Sequence, residues 1–226
     1  MHYLTLRYVI VTHSKCTERP LLYSSDHSDM AYMYIPGATA VGITYDGGIV
    51  MASERRIAYG NFVVSKTTKK TFKITDFVGA CCAGMVADMQ VLAMQMRAMT
   101  KIRKMELKRE IPPNSVAKMM SSLMYERRYY PLMTQVIVGG VDGQPALYTL
   151  DPLGSVLPDD YAAVGTGAEM ALGVLDTEFK PKMSEQDAVK LAVKSIKSAI
   201  MRDNASGDGI DILVVDKNGT RESTEK

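Results

Sequence analysis

Four side chains in the body of this sequence could act together in acid–base or nucleophilic chemistry: Glu54, Lys70, Asp203 and Ser206. Glu54 directly follows an apolar stretch and precedes Arg55 and Arg56, and Lys70 stands just before "TFKI". Asp203 opens "DNASGDG", a turn in which the Ser206 hydroxyl can bond backbone or a neighbour. Taken singly, each is accounted for by a surface ion pair or a cap. As a set they have a chemical logic only around a nucleophile. The place for one is the start of "ATAVGITYDGG", where Ala38 is followed by Thr39. The three histidines are His2, His13 and His27. A folded body beyond residue 27 therefore runs no Ser-His or Cys-His catalysis and builds almost no zinc site, because both depend on imidazole. Acid–base work falls to carboxylates, lysines or a free amino terminus.

Other features offer less. "GTGAEM" (165–170) approaches a dinucleotide fingerprint, but Met170 stands where the third glycine belongs and no βαβ unit surrounds it. "KIRKMELKR" (101–109) is a basic helix end, accounted for by the helix dipole and solvent. With a net charge of +2, the chain has no bulk field for nucleic acid. Cys16, Cys81 and Cys82 form no disulfide framework and point to a reducing compartment, so a cytoplasmic location is expected. No apolar run reaches membrane-spanning length, and neither a metal nor an organic cofactor is indicated. The 17 methionines read mostly as packing residues.

The elements that must position these residues follow from periodicity. Residues 1 to about 37 are polar and irregular, with Met30 and Met33 as alternative starts, and Pro36-Gly37 closes them off. "TAVGITYD", a Gly47-Gly48 turn and "IVMAS" make a hairpin, and "TFKI" with "FVGACCAG" make a second pair whose Cys81 and Cys82 face opposite sides. A long helix runs from Met85 with Val86, Met89, Leu92, Met96 and Met99 on one stripe. A second helix is expected after Pro112-Pro113, capped by Asn114 or Ser115. Strands "TQVIVGGVD", "ALYTLDP" and "YAAVGTG" follow, with turns at Gly143 and Gly154. Next come a short helix over "AEMALGVLDTEF", a serine-capped helix from Ser184 with Val189, Val193, Ile196 and Ile200 apolar, and the strand "IDILVVDK". "NGTRESTEK" reads as a frayed tail from about 218. Strands, two helices, strands, two helices and a strand specify α+β, as a four-layer αββα sandwich of two stacked antiparallel sheets.

"ATAVGITYDGGIVMASERR", "SKTTKKTFKI", "CCAGMVADMQ", "YAAVGTG" and "RDNASGDGID" resemble the β-type subunits of the archaeal 20S proteasome, from about residue 37 to 217. The resemblance implies the fold of N-terminal nucleophile hydrolases and a leader, residues 1–38, removed autocatalytically to free a threonine whose own α-amine serves as base. It implies that Lys70 lowers the hydroxyl's pKa, that Glu54 pairs with Lys70, and that the Gly84 N–H stabilises the oxyanion. Asp203 and Ser206 would orient the α-amine, with Thr166 in the place of a serine. Ile57, Cys82 and Val86 would line an apolar substrate pocket. The implied partners are other β subunits in a seven-membered ring, α-type rings, a regulatory ATPase, and unfolded polypeptide as substrate.

One position departs from the family pattern. Counted without gaps from Gly42, Glu54 and Lys70, the family threonine falls on Ala38 and not on Thr39. A one-residue step in a strand turns a side chain to the other face. Two readings follow. Either Thr39 is the nucleophile of a threonine endopeptidase, freed from Ala38 by a local shift, or the chain is a non-catalytic structural β subunit. The intact supporting set favours taking Thr39 as the candidate.

Overall fold

The computed structural model describes residues 37–225. The expected leader therefore lies, up to residue 36, outside the described residues, together with the three histidines and Cys16. The chain forms a four-layer αββα sandwich. The first sheet contains β1 (Thr39–Tyr45), β2 (Gly48–Glu54), β10 (Tyr161–Gly165), β11 (Ile210–Asp216) and β12 (Gly219–Glu225), in the order β10-β1-β2-β11-β12. The second contains β5 (Thr71–Lys73), β6 (Val78–Gly84), β7 (Thr134–Asp142), β8 (Gln144–Leu150) and β9 (Val156–Asp159), in chain order. Every pairing is antiparallel. A separate hairpin, β3 (Ile57–Tyr59) with β4 (Phe62–Ser65), projects between them in sequence.

Three apolar layers join the four. Helices α1 (Val86–Leu107) and α2 (Pro113–Glu126) cover the second sheet, with Met89, Leu92, Met96, Met120 and Met124 packed on Cys82, Val136 and Val138. Helices α3 (Ala168–Glu178) and α4 (Glu185–Ile200) cover the first, with Leu175, Leu191 and Ile196 packed on Val41, Ile43 and Ala52. Between the sheets lie Ala38, Ala40, Ile49, Met51, Cys81 and Ile137. Strand alternation decides this sorting: Val41 and Ile43 face the helices, whereas Ala38 and Ala40 face the other sheet. The same alternation sends Cys81 between the sheets and Cys82 beneath α1, as the sequence led us to expect.

Three expectations need correction. The segment after Asp216 is not a frayed tail: an Asn218-Gly219 turn, with Gly219 at φ 111°, returns the chain as β12, paired with β11 along its whole length. Its polar sequence suits an edge strand, where charge discourages further pairing. Helix α2 begins at Pro113, whose fixed φ suits the first turn, and no side-chain cap from Asn114 or Ser115 is used. The hairpin β3–β4 and the short strand β9 were not expected. Ser184 does cap α4, accepting from the Asp187 N–H at 3.2 Å.

The layer between the sheets is thin where glycines let side chains approach. A Cβ built on Gly139 would sit 2.9 Å from both Ile49 Cγ2 and Leu147 Cδ1. Gly139→Ala should therefore destabilise by about 1–3 kcal/mol through overpacking. Urea titration should show a lower midpoint at unchanged slope, and Ile49→Ala, which removes the colliding Cγ2, should cost less in the Gly139→Ala chain than in the natural one. An unchanged midpoint would mean that the two sheets separate more freely than this packing allows.

Candidate active site

The site gathers at one end of the sandwich, where β1 starts, β2 ends and the turn after α4 closes. Glu54 is the last residue of β2 and is fully buried. Its Oε1 accepts from the Thr39 N–H at 3.2 Å and from Lys70 Nζ. Its Oε2 accepts from the Arg56 N–H at 2.7 Å and the Gly207 N–H at 3.3 Å. Lys70 enters just ahead of β5, is 1% exposed, and also donates to the Arg56 carbonyl at 2.5 Å. Burial pushes the Glu54 carboxyl above the usual carboxylate range, opposed by the charge and hydrogen bonds of Lys70 and by the two backbone donors on Oε2. Burial pushes Lys70 downward, opposed first by Glu54 and then by Asp203 and Asp211.

A second network runs through hydroxyls. Ser206 Oγ donates to Asp203 Oδ2 at 2.8 Å, and Thr166 Oγ1 donates to the same oxygen at 2.6 Å. Thr39 Oγ1 lies 2.7 Å from Ser206 Oγ. Because the single Ser206 proton goes to Asp203, the Thr39 hydroxyl is the donor in that contact. Thr166 Oγ1 also accepts from the Ala38 N–H at 3.2 Å, which ties the strand entrance to the segment just before α3. Arg56 holds the 203–208 turn shut through Asp208 at 2.7 Å and the Asn204 carbonyl at 3.0 Å.

The cleft beside these networks, about 330 Å³, is bounded by Ala38, Ala83, Gly84, Thr134, Gly165 and Thr166, among others. Gly84 is required there. Its φ is 128°, and a Cβ would collide with the Met133 carbonyl. The residue at the entrance to β1 that lines the cleft is Ala38. Thr39 is fully buried on the opposite face, packed toward Gly167, Ala199 and Ser206.

Of the residues singled out from sequence, Glu54, Lys70, Asp203, Ser206 and Thr166 converge on the Ala38–Thr39 junction, and Gly84 faces Ala38 across the cleft. The expected pocket residues are not brought to this cleft. Cys82 is 2% exposed inside the core beneath α1, where burial pushes its thiol up to about 12. Ile57 opens β3 and Val86 opens α1, and both are only partly buried. Sequence reading missed Gln135, whose Oε1 accepts from the Gly165 N–H at 2.9 Å and so links the two sheets at the cleft. A lone exposed polar residue in the apolar run "TQVIVGG" was the available signal. It also missed Gly207, whose role rests on a backbone N–H and left no side-chain trace.

Among the described residues no group of three or more His, Cys, Asp and Glu could hold a metal, and no helix is long and apolar enough to cross a membrane. What the arrangement can do is hold a charged Lys70 against Glu54 at the start of β1. Lys70→Met strands a buried carboxylate and should cost about 3–5 kcal/mol in chemical denaturation, whereas Glu54→Gln with Lys70→Met should cost clearly less. Equal losses would mean that the two charges are not energetically coupled.

The family model described as "Proteasome subunit" matches residues 36–215. A proteasome subunit beta 1 of Nitrosopumilus maritimus is 70% identical over 194 residues, covering 86% of this chain and 98% of that protein. A proteasome subunit beta 1 of Cenarchaeum symbiosum is 73% identical over 188 residues, covering 83% and 97%. A more distant one, proteasome subunit beta 2 of Pyrobaculum calidifontis, is 46% identical over 191 residues, covering 84% and 94%. With the sandwich and the buried constellation, these matches make the chain a member of the proteasome subunit family, on its β-type side.

Proposed function

We propose that this chain is a β subunit of a 20S-type core particle that fills a ring position without cleaving peptide bonds itself. The reading rests on one observation. Beside Gly84, the residue that lines the cleft just ahead of β1 is Ala38, which carries no hydroxyl, while the Thr39 hydroxyl is buried and given to Ser206. An attacking oxygen must reach a carbonyl in the cleft, and a hydroxyl on the far face of the strand does not. In this proposal the partners are β-type neighbours in a seven-membered ring, flanking α-type rings and a regulatory ATPase. Another β-type chain then hydrolyses the unfolded polypeptide inside the closed cytoplasmic chamber. The chain has no nucleophile at the junction for autocatalysis, so its own leader is retained or is trimmed by a neighbour.

The Thr39 endopeptidase reading keeps one supporting observation. Glu54, Lys70, Gly84, Thr166, Asp203 and Ser206 all surround the junction. It requires β1 to turn by one position after cleavage at Ala38. Particles containing this chain as their sole β subunit able to react, with any active paralogue disabled, separate the two. We expect no hydrolysis of a fluorogenic peptide, no adduct on Thr39 from a hydroxyl-directed covalent inhibitor, and an intact mass with residues retained ahead of Thr39. Ala38→Thr should then raise turnover by on the order of 10³-fold or more. An adduct on Thr39, or a chain that begins there and cleaves peptide, would overturn the proposal.

A further inference from the structure

Gln135 joins the two sheets at the cleft. β10 is the edge strand of the first sheet, with β1 on one side only, and it ends at Gly165, opposite Thr39. Gly165 has a φ of 99°, and a Cβ there would collide with the Ala38 carbonyl, so the chain bends tightly against the entrance to β1. The Gly165 N–H is taken by the other sheet: it donates to Oε1 of Gln135, on β7, at 2.9 Å. The layer around this bond is apolar, with Ala38, Ala83, Ile137 and Val164 packed together.

One residue further on stands Thr166, whose hydroxyl holds the junction. Its Oγ1 accepts from the Ala38 N–H at 3.2 Å, lies 3.4 Å from the Ala38 carbonyl oxygen, and donates to Asp203 Oδ2 at 2.6 Å. Thr166 is exposed and falls between β10 and α3, so neither element fixes its backbone. A glycine, free to turn, precedes it. The acceptor on Gln135 is what holds that glycine in place. The orientation of the amide follows, because Gly165 offers a hydrogen and only the oxygen can face it. Packing does not account for Gln135 either: it is exposed on the cleft wall, whereas Thr134, Val136, Ile137 and Val138 beside it on β7 are buried.

We propose that Gln135 is a positioning residue, whose side-chain oxygen latches the Gly165–Thr166 segment so that the Thr166 hydroxyl, and Asp203 behind it, stay on the backbone of residue 38. The inference rests on the reading above that residue 38 is where an attacking hydroxyl belongs. In the natural chain the latch seats the Ala38 peptide. Once Ala38→Thr supplies a hydroxyl, the same latch aligns it with the hydroxyl–carboxylate network. Three substitutions separate the acceptor from mere bulk. Glutamate keeps an oxygen at the same reach, leucine keeps the volume without an acceptor, and asparagine keeps the amide one methylene too short.

Hydrogen–deuterium exchange of particles containing the chain, read by mass spectrometry, and turnover in the Ala38→Thr background test this. Gln135→Leu and Gln135→Asn should speed exchange in fragments spanning 163–167 at least about tenfold, with the β2–β11 ladder within about twofold of the natural chain. Gln135→Glu should leave both regions slow. With Ala38→Thr, the Leu and Asn changes should lower kcat on the order of tenfold at a KM within about twofold, and Glu should restore it. Exchange that stays slow in Gln135→Leu, or that rises as much in Gln135→Glu, would overturn the latch. So would a rise shared equally by β2 and β11, which marks ordinary stabilisation of the fold. If Ala38→Thr yields no turnover at all, the reading of position 38 is what fails, and the exchange series still decides the latch.

Discussion

The carboxylate of Glu54 is the point on which the rest of the site depends. One buried group accepts hydrogens from β1 through Thr39, from the segment after β2 through Arg56, from the closing turn through Gly207, and from Lys70 at the entrance to the second sheet. Three stretches distant in sequence, and the neighbouring Arg56, are thus fixed by two oxygen atoms. A buried carboxylate is tolerated only when its lone pairs are taken up and its charge is answered, and all four partners are needed for that. The site is consequently rigid where it is charged.

Rigidity of the strand then decides what faces the cleft. Thr39 is opposite Gly165 on one side, and Ala40 is opposite Ser53 on the other, so β1 is clamped between two ladders. A slip by one residue would exchange faces along the strand, moving Val41 and Ile43 from the helix layer into the space between the sheets. That space is already crowded: a Cβ on Gly42 would lie 2.8 Å from Ile137 and 2.9 Å from Leu147. Bringing Thr39 round to the cleft therefore demands a local distortion confined to the first residues, against the Glu54 hydrogen bond at its own amide. The methyl at 38 and the hydroxyl at 39 stay on the faces that alternation gives them.

Much of this was legible from the residue pattern, and the exceptions have physical causes. Long helices and apolar strands declare themselves by period, so α1, α3, α4, β6 and β7 appear where expected. Strand β12 did not, because an edge strand of charged residues carries no burial signal and is held by backbone pairing with β11. Helix α2 starts at a proline whose role is conformational, which made the nearby Asn114 and Ser115 look like caps. At the site, Glu54 and Lys70 stood out as charges beside apolar strands, but no local rule joins residues 16 apart; their pairing is a property of the stacked sheets. Cys82 shows the reverse error. The family resemblance implied a pocket wall there, and the packing of α1 over β6 makes it core.

This bears on why the constellation persists around an alanine. Lys70, Glu54, Asp203 and Ser206 serve catalysis only where a nucleophile stands among them. Their geometry supplies another need. Removing Lys70 strands Glu54; removing Glu54 strands Lys70 and frees the amide of Thr39; removing Asp203 leaves the hydroxyls of Ser206 and Thr166 without their common acceptor. Each single loss leaves a buried or half-buried polar group unpaired, at a cost of several kcal/mol for the charges and about 1–3 kcal/mol for a hydroxyl. Ala38 alone stands outside the network through its side chain. A change of the side chain at 38 breaks no hydrogen bond in either network, so that position can vary while the set around it stays in place.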